Sequence, residues 1–544
     1  MPPTDTERQA AVRAYHRASM HHLERYAPGP GGLDWENQPD PFRRYAGAPI
    51  VALEHVSAES GPSYTDALGD AVIPVAPLDA RSIAALFEDS LALSAWKSYE
   101  GSRWALRVNP SSGNLHPTEA YLLCGAIDGL CTQPSLFHYA PREHALELRA
   151  EIPLPLWRSL SERLPPGSIF VALASIHWRE AWKYGMRAFR YCHHDVGHAI
   201  GAVGIAARAL GWSLTLCDEL GTEDLEALLG TRDPRSAEPE VPDTLLAVVP
   251  CATPPAGDEL PRALPEFSLA LRGAPNALSD DHVDWSAIEA ATEATRKPRT
   301  ERALGSAPSL GLMLAVPGAA LVDAPLRRIV RGRRSAVSFD GRTAISRASF
   351  YRMLTATCAG VVRALPWSPC VHLGLFVHRV DGLDPGVYVL ARDERELPFL
   401  RAALERPAEW TRADGAPDGL ALYLVERGDA RRMARQVSCH QEIAADSAFS
   451  LGMLARFDGA LAEHGAWFYP RLYWECGLVG QILYLEAEAA RVRATGIGCF
   501  FDSAVHRVFG LADARYQSLY HFTVGGAVED PRLTTLPAYP APSE

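Results

Sequence analysis

The chain has 544 residues, 47% of them hydrophobic and 22% charged, and a net charge of −12 at pH 7. That length exceeds the size at which a single core keeps growing, so two domains are expected. The acidic balance argues against a nucleic-acid binder, Arg208 interrupts the best candidate for a membrane span, and ten cysteines without a CxxC pair predict reduced thiols in a cytoplasm.

In chain order, the first predicted element is a helix over Thr6–Tyr26, running into the turn-rich segment APGPGGLDWENQPDPFRRYAGAP. The string RVNPSSGNLHPTEAY (107–121) sets Pro, two Ser, Gly and Asn before an apolar run. This predicts a turn whose N–H and hydroxyl groups point one way, then a strand. Beside Arg107 such a nest suits an anion or a polar ring edge; an ordinary polar turn is the plainer alternative. LHPTEAYLLCGAIDGL (115–130) and FHYAPREHALELRA (137–150) predict a β-hairpin with an Asp-Gly turn. After AWKYGMRAFRYCHHDVGHA (181–199), the segment 195–212 predicts a buried helix whose Ala and Gly residues permit close approach of another helix.

From about Cys251 to about Ala320 the chain is Pro-rich and weakly periodic, which predicts a linker with one short helix around Trp285–Glu293. Beyond it, RRIVRGRRSAVSFDGRTAISRASFYRML (327–354) reads as an Arg-Arg-Ser cluster at a helix end, a loop and an amphipathic helix. The earlier pattern then returns. Segments 369–383 and 386–400 predict a second hairpin, and 475–496 parallels 195–212, each helix opening on an acid. Two paired elements in the same order indicate an internal duplication, with domains at 1–250 and 321–544 and the linker at 251–320.

The string RVNPSSGNLHPTEAYLL resembles the flavin-binding turn of the nitroreductase superfamily, nearest to its SagB-type dehydrogenases, which include azoline oxidases of peptide natural-product pathways. Arg107, Asn109, Pro110, Ser111, Ser112, Gly113, Asn114 and Pro117 carry the match. The segment 327–354 is similar to the opening of the same family, and the N-terminal segment resembles the leader of its tandem members. The resemblance implies an α+β fold class: two tandem nitroreductase-like α/β/α domains in an intramolecular pseudo-dimer, with FMN between the copies.

Two composite sites are conceivable, and they are not equivalent. One joins Arg333, Arg334 and Ser335 of the second copy to Arg107, Pro110, Ser111, Ser112 and Asn114 of the first. The other would join Phe42-Arg43-Arg44-Tyr45 to Pro366-Trp367-Ser368-Pro369-Cys370, where the Ser-Ser-Gly-Asn turn is lost. One working FMN site is therefore expected. Arginine suits the nearly dianionic FMN phosphate through bidentate, charge-assisted hydrogen bonds. The resemblance implies that Arg532 returns to this phosphate and that Gly496 and Gly498 run past the flavin face.

The resemblance also implies a catalytic role for Lys183 and Tyr184. Physically, an ammonium beside a phenol favours phenolate, which can accept a proton. His193, His194 and His198 lack the third ligand and the Glu of an HExxH set, so no metal is expected. Cys439 and His440 would point apart on a helix, which suits packing better than catalysis. The implied activity is oxidation of a small molecule or peptide-derived heterocycle by hydride transfer to flavin N5, with biosynthetic partner proteins. Two alternatives stay open. One is an NAD(P)H-dependent nitro or quinone reductase, and the other is a non-catalytic flavin-binding scaffold of a biosynthetic complex.

Overall fold

The structure is a computed structural model describing residues 3–540 apart from 70, 233–235, 302–315, 317, 320, 359–363 and 406–408. Each half is built on a seven-stranded sheet in which every neighbouring pair is antiparallel. Across the first sheet run Ile50–Ala52, Ala145–Glu151, Ser135–Ala140, Thr118–Cys124, Ile169–Ile176, Glu240–Val249 and Ser213–Leu216. Across the second run Thr411–Arg412, Ala421–Arg427, Gly386–Ala391, Val371–Val377, Phe449–Arg456, Tyr516–Gly525 and Arg493–Ile497. The two orders correspond strand for strand except at one edge, where the short strand comes from different places in the chain. The duplication read from the hairpins thus extends over six of the seven strands. Both Asp-Gly turns place their glycine at φ +75, where a Cβ is disfavoured.

Seven helices position the site: α1 (Asp5–Ala18), α2 (His177–Tyr184), α3 (Ala188–Ala209), α4 (Ser286–Ala294), α5 (Leu326–Gly332), α6 (Arg347–Cys358) and α7 (Tyr469–Ala489). A capping box between Thr4 and Glu7 starts α1, which ends well before Tyr26. The two central helices, α3 and α7, cross at glycines. A Cβ on Gly197 would fall on the backbone carbonyl of Trp474, and one on Gly477 on the carbonyl of His194. The small residues of both helices therefore set the contact that joins the halves.

Each half also carries a piece of the other. On the second half, α1 is held by His16 bonding Tyr469 and Gln517, and by Asp5 accepting from the Ala466 N–H. On the first half, Thr534–Leu536 adds a third strand to the hairpin of Leu93–Tyr99 and Ser102–Arg107. The stretch expected as a linker is strapped down as far as it is described. Ala274–Pro275 pairs with Tyr45–Ala46, α4 packs against α1 and α3, and Arg299 bonds Asp224. The rest of that stretch, at 302–315, 317 and 320, lies outside the described residues. Among the described residues no helix is long and apolar enough to cross a membrane.

Candidate functional site

The Ser-Ser-Gly-Asn turn forms where the strand Ser102–Arg107 ends. Ser111 is extended, Ser112–Asn114 make one tight helical turn, and Gly113, Asn114 and His116 all take positive φ. Gly113 is required for a second reason: a Cβ there would lie 2.7 Å from the Tyr184 hydroxyl and 3.0 Å from Lys183 Nζ. The end of α2 is thus pressed against the turn, which brings Lys183 and Tyr184 to it.

From the second half, α5 delivers its C-terminal arginines to the same place. Arg333 is buried and donates from Nε to the Val108 carbonyl (3.2 Å) and from Nη2 to the Arg107 carbonyl (3.1 Å). Its Nη1 is buried without a partner. Arg334 bonds Ser94 and the carbonyls of Arg331 and Arg333. Arg107, Pro110, Ser111, Asn114, Arg333, Arg334 and Ser335 line one cleft. Lys97 and Arg493 line it too, and no sequence motif singled them out. So many cations share the space that burial and mutual repulsion hold Arg334 down to about 10.

Six expected residues do not line the cleft: Lys183 and Tyr184, which lie against the turn, and Arg532, Ser112, Gly496 and Gly498. Arg532 is exposed, paired with Asp530 at 2.7 Å and set over the Tyr99 ring, so it does not line the cleft. The Ser112 N–H points inward to Asp195 at 3.4 Å. Gly496 and Gly498 leave room for Tyr520 and Tyr191, whose rings fill the places their side chains would take. Gly496 still touches the site indirectly, because Tyr484 accepts from its N–H (3.0 Å) and bonds the Ser335 hydroxyl (2.8 Å).

The second conceivable site is not assembled. Buried Arg43 pairs with Glu238 and Arg44 with Glu147 and Glu143, while the Tyr45 hydroxyl bonds Tyr121 and Glu240. Trp367 and Cys370 bond Glu475 instead, so the two segments share no partner. Carboxylates already neutralise this arginine pair, whereas Arg333 and Arg334 hydrogen-bond to carbonyls and to Ser94.

The acids that open the paired helices diverge in the same way. Glu475 accepts from Cys370 N, Val371 N and Trp367 Nε1, and is ion-paired to Arg392. Asp195 receives one long bond and leaves Oδ2 buried and unpartnered, as are both carboxylate oxygens of Glu180. Burial raises Asp195 to about 8 and pushes Glu180 upward, helped by the charge of Asp195. Sequence reading missed this acid pair; four helix positions separate Glu180 from Tyr184, and only the fold brings α3 beneath them.

The same acids correct the phenolate expectation for Tyr184. Burial, then the carboxylates of Glu180 and Asp195, push its phenol well above 10, so Tyr184 is a neutral hydroxyl donor. The three histidines engage separate partners: His193 Nδ1 faces Asp243, His194 the Leu519 carbonyl and His198 the Tyr520 hydroxyl. Cys439 and His440 lie in a left-handed turn and not on a helix.

No family model matches the sequence. The Methanocaldococcus jannaschii protein named "Putative nitroreductase MJ1384" is 29% identical over 108 residues, 19% of this chain and 52% of that protein. The chain thus spans about half the length of the curated relative it matches. A crystal structure of a "putative nitroreductase" from Anabaena variabilis aligns with 95% of this chain and 99% of its own, with a TM-score of 0.70 at 21% identity. Another, from Ralstonia eutropha, covers 42% of this chain and 98% of its own at 14% identity, with a TM-score of 0.29. The Anabaena alignment runs through both halves, and the chain has the nitroreductase-like fold, two α+β units in tandem.

Proposed function

We propose that this chain is an FMN-dependent oxidoreductase with one flavin site, and that it acts as a SagB-type dehydrogenase on a small molecule or peptide-derived heterocycle. One observation carries the reading. The cleft joins the first half's Ser-Ser-Gly-Asn turn to second-half arginines bonded to carbonyls and a serine, one of which keeps a buried, unpartnered N–H.

The donor set fits the cofactor. Arg333 and Arg334 offer the charge a phosphate needs, with Arg493, itself paired to Glu488, beside them, and Ser111 and Asn114 offer polar edges on the same cleft. FMN, when bound, supplies a two-electron acceptor for a hydride. The chain's own part is to hold the substrate's proton balance. Tyr184 presents a neutral hydroxyl at the turn beside Lys183, and burial holds Glu180 and Asp195 toward their protonated forms, so that they can give up a proton. Biosynthetic partner proteins and a soluble cytoplasmic setting belong to the same proposal.

The test is flavin retention. Replacing Arg333 and Ser335 together by Ala should empty the purified protein of flavin, since charge-assisted hydrogen bonds contribute about 1.5–3 kcal/mol each. Arg44→Ala, a half-buried position of the second segment pair, should leave the flavin-to-protein absorbance ratio unchanged. The opposite pattern would overturn the assignment of the site.

A further inference from the structure

Cys439 and Cys499 come from distant parts of the second half, yet their sulfurs lie 2.8 Å apart. The backbone holds them there. Phe501 N–H donates to the Val437 carbonyl at 2.8 Å, and the Gln441 side chain donates to the Cys499 carbonyl at 3.1 Å, so the two segments are pinned on both sides of the pair. Both residues are partly exposed and both are free thiols.

The surroundings differ for the two sulfurs. Buried His21 accepts the Ala27 N–H on Nδ1 (2.8 Å), so Nε2 carries the ring hydrogen and is the atom left to donate to Cys499. Arg187 adds its charge, held nearby by its bond to the Gly498 carbonyl (2.8 Å) and its pair with Asp502. The short contact with Cys439, then the His21 hydrogen bond and the charge of Arg187, lower the Cys499 thiol below its ordinary value. Cys439 is raised, because it shares its proton with Cys499 and is partly buried. One sulfur is thus poised to attack and the other to resolve.

We propose that Cys439 and Cys499 form a reversible thiol–disulfide pair that exchanges with low-molecular-weight disulfides. The Cys499 thiolate attacks one sulfur of a disulfide such as oxidised glutathione. The bond between them forms, the reagent's S–S bond breaks, and one glutathione thiolate leaves. Cys439 then gives up its proton and attacks Cys499 Sγ, forming the Cys439–Cys499 bond and expelling the second glutathione. The chain loses two electrons and two protons, and the reagent gains them as two thiols. Reduced glutathione reverses both steps. The linkage would tie the segment following Gly498 to the turn at 438–440. It does not depend on the flavin reading.

The experiment is thiol mapping of the full-length wild-type chain, equilibrated with glutathione at graded ratios of oxidised to reduced form, then alkylated and digested with trypsin. A cross-linked species of peptides 436–456 and 494–507 should appear as the ratio rises and vanish when reduced glutathione is restored. Cys439→Ser should trap glutathione on Cys499, about tenfold more than Cys499→Ser traps on Cys439. The pair Cys124 and Cys131, with sulfurs 3.8 Å apart, is the internal control. Alkylation of both Cys439 and Cys499 at every ratio, or a cross-link confined to Cys124 and Cys131, would overturn the proposal.

Discussion

Asp195 shows how one residue separates the two halves. Its counterpart Glu475 has a full set of donors, while Asp195 and Glu180 are buried with unpartnered oxygens. An unfolded Asp ionises near 4, but folded Asp195 does so at about 8. Between these values unfolding releases a proton, so the contribution to stability falls as pH rises, by up to about 1.4 kcal/mol per pH unit for one proton. The double variant Asp195→Asn with Glu180→Gln should therefore show a flatter fall in Tm than wild type as pH is raised through this window. Equal slopes would mean the acids are ionised in the fold. At the same scale, Tyr184→Phe should keep FMN and slow substrate-driven flavin reduction by about 10²-fold or more. Reduction by dithionite should be unaffected, which separates flavin competence from proton transfer; an unchanged substrate rate would make Tyr184 a packing residue.

At the scale of elements, the crossing of α3 and α7 couples the halves. Placing Ala at Gly197 should favour the helix by about 1 kcal/mol from propensity alone. The new methyl would meet the Trp474 backbone, which cannot rotate away as a side chain can. Overpacking of this kind costs about 1–3 kcal/mol. Gly197→Ala is therefore expected to lower Tm, as read by calorimetry, whereas Gly32→Ala, with open space at its Cβ, is not. These helices were legible in the sequence because their Ala and Gly content reports burial on most faces. The end of α1 was less so: Thr4 and Glu7 announce its start, but the seven residues after Ser19 turn aside to pack near Asp502, a contact no local pattern encodes.

For the whole molecule, the exchanged arms make the proposed site depend on parts far apart in sequence. Asp530 and Leu533 line the cleft, and the strand that follows them is held on the first half by Trp96, Lys97 and Tyr539. Deleting 531–544 should lower flavin retention more than it lowers Tm, because it opens one wall of the cleft while both central sheets stay intact. Equal loss of fold and flavin would make the arm a general brace. Intact protein should carry about one FMN per chain, measured by absorbance after release; two would mean that the Arg43 segment binds flavin despite its carboxylate partners.

Local chemistry determined much of this protein. Hairpin periodicity with Asp-Gly turns, the Ala- and Gly-rich helices and the Ser-Ser-Gly-Asn turn are short-range patterns, and each is legible because the forces behind it act within a few residues. The same patterns revealed the duplication, while the pairing of the Arg333 cluster with the first half's turn came from the resemblance to a known family. What remained was decided by tertiary contact. The sequence shows two arginine pairs of similar kind, and only folding brings Glu238, Glu147 and Glu143 onto one of them and leaves the other facing carbonyls. Likewise Lys183 beside Tyr184 suggests phenolate, until burial and two acids from the surrounding fold reverse the sign. Arg532 fails for the opposite reason: Asp530, two residues away and also at the surface, takes its charge before any phosphate could. Electrostatic environment is a sum over neighbours in space, and the chain alone does not list them.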